Sequence, residues 1–168
     1  MLLISFTAGA QRKQIRFDNL DINNGLSQSS VNDIIQDEKG FIWIATQGGL
    51  NKYDGENFTV FKKDPKDNQS LSYNFINAIY DDKKGNIWIA TNGGGINKFD
   101  KHTQKFTRYN TGEQNRTVLD VEGDDEGKIW YATSGGGLNS LNPSTGKSQN
   151  YLKQGIDAKN VQVIFFTS

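Results

Sequence analysis

Asp82-Lys-Lys-Gly85-Asn-Ile-Trp88-Ile-Ala-Thr91-Asn-Gly-Gly-Gly95-Ile-Asn-Lys-Phe99-Asp100 is the middle one of three closely similar segments in this chain. Before it comes Asp37-Glu-Lys-Gly40-Phe-Ile-Trp43-Ile-Ala-Thr46-Gln-Gly-Gly49-Leu-Asn-Lys-Tyr53-Asp54, and after it Asp124-Asp-Glu-Gly127-Lys-Ile-Trp130-Tyr-Ala-Thr133-Ser-Gly-Gly-Gly137-Leu-Asn-Ser-Leu141-Asn142. The tryptophans stand 45 and 42 residues apart, and a short apolar run precedes each segment, starting at Val31, Ile76 and Val118. A fourth run begins at Val161.

Within one period the residues divide into four short β segments: 31–36, 41–46, 50–53 and 58–61. Lys-Gly, Gln-Gly-Gly and Asp-Gly-Glu-Asn turns separate them. No apolar stripe at i, i+3, i+4 is sustained, and the mid-period glycine runs exclude a helical repeat, since each glycine costs about 1 kcal/mol inside a helix. Four strands every 40-odd residues is the arithmetic of a β-propeller blade. The expected fold is therefore all-β: four-stranded antiparallel blades, three complete repeats plus the start of a fourth, an incomplete propeller. The expected boundaries are blade 1 at 31–61, a link at 62–75, blade 2 at 76–109, a link at 110–117, blade 3 at 118–151, a link at 152–160, and the first strand of blade 4 at 161–168.

The recurring residues read first as scaffold. Trp43, Trp88 and Trp130, central in the second strand, are expected to pack between blades rather than to stack on a ligand. Gly40, Gly85 and Gly127 are expected to supply positive φ in the first hairpin, with the aspartate three residues before each bracing that turn.

The 168 residues hold 19 Lys+Arg against 19 Asp+Glu and no cysteine. Neutral charge removes the electrostatic basis for nucleic-acid or anionic-membrane partners, and the missing thiols exclude zinc-thiolate sites and cysteine nucleophiles. The sole histidine, His102, lies in the turn after Asp100 without neighbours for a triad or a metal cluster. The glycine runs lead into strands, so no helix N-terminus stands ready for phosphate. No cofactor and no metal site is read from the chain, and no catalytic activity is expected of it. Residues 1–10 read as the rear of a signal peptide, with Ala8-Gly9-Ala10 as the small-x-small site, which places the protein outside the cytoplasm. No later stretch approaches the length of a membrane span.

The pattern D-x-x-G-x-I-W-I/Y-A-T-x-G-G-G/L, written three times, closely resembles the two-component regulator propeller repeat, and Ile15 to Leu20 with Asn24 to Val31 looks like that family's opening. The resemblance implies the N-terminal part of a periplasmic sensor region in a hybrid two-component system. Such a region binds glycan-derived oligosaccharides and passes the signal to a histidine kinase and a regulator in the remainder of the parent sensor. It also implies that residues 11–30 carry the strand that closes the ring in the parent.

Blade geometry places recognition at the end where the turns between second and third strands meet the inter-blade links. That end gathers Gln47, Asn92 and Ser134, whose amides and hydroxyl suit sugar hydroxyls, and Tyr73, whose ring can stack on a sugar. A protein-protein scaffold and a glycan-active enzyme are the other classes the pattern admits. Three blades and a fraction do not close a ring, so the chain is expected to self-associate, as a closed dimer. Light scattering at micromolar concentration should return that dimer, and a clean monomer with a cooperative melt would refute it.

Overall fold

The computed structural model describes residues 19–112, 116–151 and 164. Within them lie three four-stranded antiparallel sheets, each ordered as in the chain. Blade 1 is β1 (Val31–Gln36), β2 (Ile42–Thr46), β3 (Gly49–Tyr53) and β4 (Phe58–Phe61). Blade 2 is β5 (Ile76–Asp81), β6 (Asn86–Thr91), β7 (Gly95–Asp100) and β8 (Lys105–Tyr109). Blade 3 is β9 (Val118–Gly123), β10 (Ile129–Thr133), β11 (Gly137–Asn142) and β12 (Lys147–Asn150). The expected ring-closing strand and the link 152–160 lie outside the described residues, as does the fourth-blade strand except for Ile164.

Each blade starts from the same turn. Gly40, Gly85 and Gly127 have φ of +85°, +96° and +81°, a region that glycine enters without Cβ strain. The Asp37 carboxylate accepts from the backbone amides of Lys39 and Phe41, both at 3.0 Å, and from Trp43 Nε1 at 2.9 Å. Asp82 does the same for Lys84, Asn86 and Trp88 Nε1, and Asp124 for Lys128 and Trp130 Nε1. One side chain thus closes the hairpin and fixes the indole that the hairpin carries. The indole then meets the aromatic residue at the end of its own blade's outer edge: Trp43 lies 6.2 Å from Phe61, Trp88 5.4 Å from Tyr109, and Trp130 4.8 Å from Tyr151.

Strand alternation sends side chains to opposite faces and so into different cores. Ile87, Ile89 and Phe99 join Trp43, Leu50 and Ile79 between blades 1 and 2. Trp88, Ala90 and Ile96 join Val121, Ile129 and Tyr131 between blades 2 and 3. Blade 2 is therefore apolar on both faces. On the side of blade 1 away from blade 2, Ile34 and Val31 are exposed.

One set of directional bonds between blades runs along the inner strands, each of which has a register break near its blade's start, and Lys101, after β7, adds an ion pair to Glu38 of blade 1 at 3.2 Å. Asn32 Nδ2 donates to the Ile76 carbonyl at 2.7 Å, and Asn77 Nδ2 to the Val118 carbonyl at 2.6 Å. The Ile79 amide donates to Asp33 Oδ2 at 2.8 Å, and the Ile164 amide to Asp120 Oδ2 in the same manner. Burial raises the Asp120 and Glu122 carboxyls above their ordinary values, the nearby Asp33 charge adding to the effect on both.

Asp37→Ala leaves the buried Trp43 indole N–H and two turn amides without their acceptor. It should cost about 2–4 kcal/mol in urea unfolding, and a cost under about 1 kcal/mol would show that the turn holds without its carboxylate. The sign at Glu122 is the reverse. A carboxyl whose pKa is raised by folding binds its proton more tightly in the folded chain, so its ionisation weakens the fold: the penalty is complete above the folded pKa and gone below the unfolded one. Glu122→Gln should therefore raise the urea midpoint at pH 7, with the gain disappearing toward pH 4. A gain that is equal at both pH values would refute this.

Candidate functional site

The turns between second and third strands are built around a buried threonine and a buried asparagine. Thr91 Oγ1 donates to the Gly95 carbonyl at 2.7 Å and accepts the Gly94 amide at 3.0 Å, and Thr46 does the same for Gly49 and Gly48. Asn97, buried in β7, accepts the Ser72 amide at 2.9 Å and donates to Ser72 Oγ at 2.7 Å. Asn51 accepts the Ser27 amide at 2.8 Å in the same position of blade 1. In blade 3 the partner is Asn150 of the outer strand instead. In blades 1 and 2 the end of the segment before the blade is thereby seated on that blade's turn.

Blade 2 adds a clasp from the other side. The Arg116 carbonyl accepts the amides of Gly93 and Gly95 at 3.1 and 2.9 Å, and Asn92 forms a bridge with Thr117. Arg108, reaching from β8, donates to the carbonyls of Asp67 and Ser70 at 2.8 and 2.9 Å and to Ser70 Oγ, which holds the longest link in place. Gly94 has no room for a side chain, because a Cβ would meet Ser72 Oγ and lie 2.8 Å from Tyr73 Cβ.

Between these parts opens a pocket of about 520 Å³. Tyr73, Lys63, Arg116, Tyr109 and Asn110 line it over the Gly93–Gly95 backbone. Tyr73 is 44% exposed, with the Lys63 ammonium 6.0 Å from its ring centroid and Gly93 packed against the ring. Burial raises the Tyr109 phenol above its ordinary pKa, and its hydroxyl donates to the Pro143 carbonyl of blade 3 at 3.5 Å.

Of the residues expected to form a site, Tyr73 lies in this pocket, its ring 3.6 Å from where a Cβ on Gly93 would stand, directly beside Asn92. Asn92 is tied through Thr117 to blade 3, since the Thr117 carbonyl accepts the Ser134 amide at 2.9 Å. Asn92 and Ser134 are thus joined through Thr117, but of the expected residues only Tyr73 lines the pocket. Gln47 is exposed one blade away, beside the Gly48 turn that rests on Ser27. The sequence reading missed Lys63, Arg116 and the positioning residue Arg108. The first two lie in links where no repeat marks them, and Arg108 sits in a strand position that is Val60 in blade 1.

Residues 25–48 and 70–93 match the two component regulator propeller family. The chain carries repeats of that kind, and each matched stretch runs from the seated end of a link to the following glycine turn. A 73-residue stretch, 42% of the chain, is 42% identical to a histidine kinase, P4, of Formosa agariphila, and covers 5% of it. Among solved structures, the chain is similar to the extracellular domain of the hybrid two-component system BT3049 from B. thetaiotaomicron, with 34% identity and a TM-score of 0.71 over 80% of this chain and 20% of that one. It is also similar to the extracellular domain of BT4673, another hybrid two-component system of that organism, with 27% identity and a TM-score of 0.67 over 85% of this chain and 21% of that one. The chain spans about a fifth of the length of these structures. Among the described residues no helix is long and apolar enough to cross a membrane.

Proposed function

We propose that this chain supplies blades of the periplasmic sensing propeller of a hybrid two-component system, and that it detects glycan-derived oligosaccharides at the loop end of blade 2. The observation that carries the reading is the pocket over Gly93–Gly95, where a half-exposed tyrosine stands beside cations and amide donors on a backbone clamped from both sides. An aromatic face with flanking donors and acceptors is what a sugar ring needs: its C–H face packs on the ring while its hydroxyls bond to the rim. Similarity to extracellular domains of two-component systems supports the sensing role.

In this reading the blades hold the loop end rigid and do no chemistry, and the parent sensor passes the signal inward to regulate polysaccharide use. Binding at a pre-shaped pocket costs little reorganisation, which suits a detector of small glycan products. In the parent sensor, replacing Gln47, Asn92 and Tyr73 together by alanine should weaken oligosaccharide binding about tenfold or more, the equivalent of about 1.4 kcal/mol. Calorimetric titration against a glycan panel measures this, and unchanged affinity would exclude the loop end as the site.

A further inference from the structure

The chain's charges cancel as a sum, but the loop end of blade 2 does not share that balance. Residues 62–75 and 108–117, the two segments that meet at the Gly93–Gly95 turn, hold Lys62, Lys63, Lys66, Arg108 and Arg116 against Asp64, Asp67 and Glu113. The excess is positive even with Glu113 included, which lies outside the described residues.

Position sharpens the imbalance. Lys63, Arg108 and Arg116 line the pocket, and among the described residues no carboxylate does. Asp64 and Asp67 turn their carboxylates to their own link, where they accept the amides of Lys66 and Gln69 at 2.9 and 2.8 Å. The Arg108 guanidinium donates to the carbonyls of Asp67 and Ser70 and to Ser70 Oγ. Those groups carry dipoles but no net charge, so the positive charge of Arg108 is left in place. Lys63 makes no ion pair with a described residue: its backbone amide is fixed on Asn74 Oδ1 at 2.7 Å, and its ammonium stands beside Tyr73.

The matching positions around the blade 1 turn are uncharged. Ser27 and Ser72 rest on equivalent asparagines, so Gln28 stands where Tyr73 does. Val60 pairs with Asn51 as Arg108 pairs with Asn97, and Asn74 precedes β5 by two residues as Arg116 precedes β9. The turn therefore closes without cations at these positions, and blade 2 has gathered them at one pocket. We propose that the oligosaccharide taken there is an acidic one, bearing a uronate carboxylate or a sulfate ester; this rests on the loop-end reading above and narrows its ligand class. The sugar oxyanion meets Lys63 and Arg116, and the Arg108 charge adds to the field that holds it. A neutral sugar gains nothing from that field.

The probes are digalacturonate with its uncharged dimethyl ester, and lactose sulfated on its galactose ring with plain lactose, titrated into the 168-residue chain by calorimetry. Each pair keeps its ring frame and differs in charge. At least one acid should bind about tenfold or more tighter than its neutral partner, a preference that falls as sodium chloride is added. The acid with the larger preference tells a carboxylate from a sulfate ester as the natural group. Lys63→Gln with Arg116→Gln should cut the preference to about threefold or less, whereas Lys105→Gln on β8, outside the pocket, should leave it unchanged. Lys63→Gln alone should cut it in part; its side chain donates no hydrogen bond within the described residues, so this variant keeps the fold and tests the charge by itself. Equal binding of acid and neutral partner, or a preference that survives both variants or added salt, would overturn the acidic class while the oligosaccharide reading stands. Binding of no probe would also overturn the acidic class, and the glycan panel on the parent sensor then decides the broader reading separately.

Discussion

A carboxylate that accepts an indole N–H and its own turn's amides is the constraint on which this architecture rests. In Asp37, Asp82 and Asp124 the same group closes the first hairpin and dictates where the tryptophan's ring lies. The ring in turn sets the distance to the next blade, because Trp43 and Trp88 are each buried in the core that faces it. Removing a buried acceptor of this kind strands several donors at once, which is why a polar side chain is retained at a position that borders an apolar layer. Blade packing is thus specified from inside each blade rather than negotiated at the interface.

A second polar system does the equivalent work at the other end. Asparagine is a poor strand residue, yet Asn51, Asn97 and Asn139 sit fully buried in third strands, where each finds partners among turn carbonyls, hydroxyls and neighbouring amides. Asn51 and Asn97 thereby make the end of the preceding segment a fixed part of the blade, while Asn139 ties its turn to the outer strand. The loop-end pocket owes its shape to this anchoring, since Ser72 and Tyr73 follow directly from the link that Asn97 and Arg108 hold.

Much of this was legible in the sequence because the repeat is written in adjacent residues. Period, strand count and the glycine turns all follow from Gly40, Trp43 and their copies, whose spacing is local. The outer strands resisted: Phe61, Tyr109 and Tyr151 meet the tryptophans from strands that share no common motif, so only register shows their equivalence. Lys101 was invisible for another reason. It acts once, across two blades, and a feature that does not recur leaves no period to detect. The loop-end pocket was half legible. Tyr73 and Asn92 could be placed by topology, but which links fold toward them depends on Arg108, whose long reach joins residues 37 to 41 positions away.

The hydrogen bonds between blades have one further consequence. Those from Asn32, Asn77 and the Ile79 amide all lie on inner strands, whereas toward the rim blades 1 and 2 meet chiefly through aromatic rings such as Phe61 and Phe99, 4.7 Å apart, with one ion pair, Lys101 to Glu38. Directional bonds resist sliding and rings permit it. The assembly is therefore mechanically uneven, like leaves bound along a spine: a pull at the outer edges fans the blades apart while their inner strands stay in register. Strain applied at the rim would be felt first as rotation about the axis, not as separation.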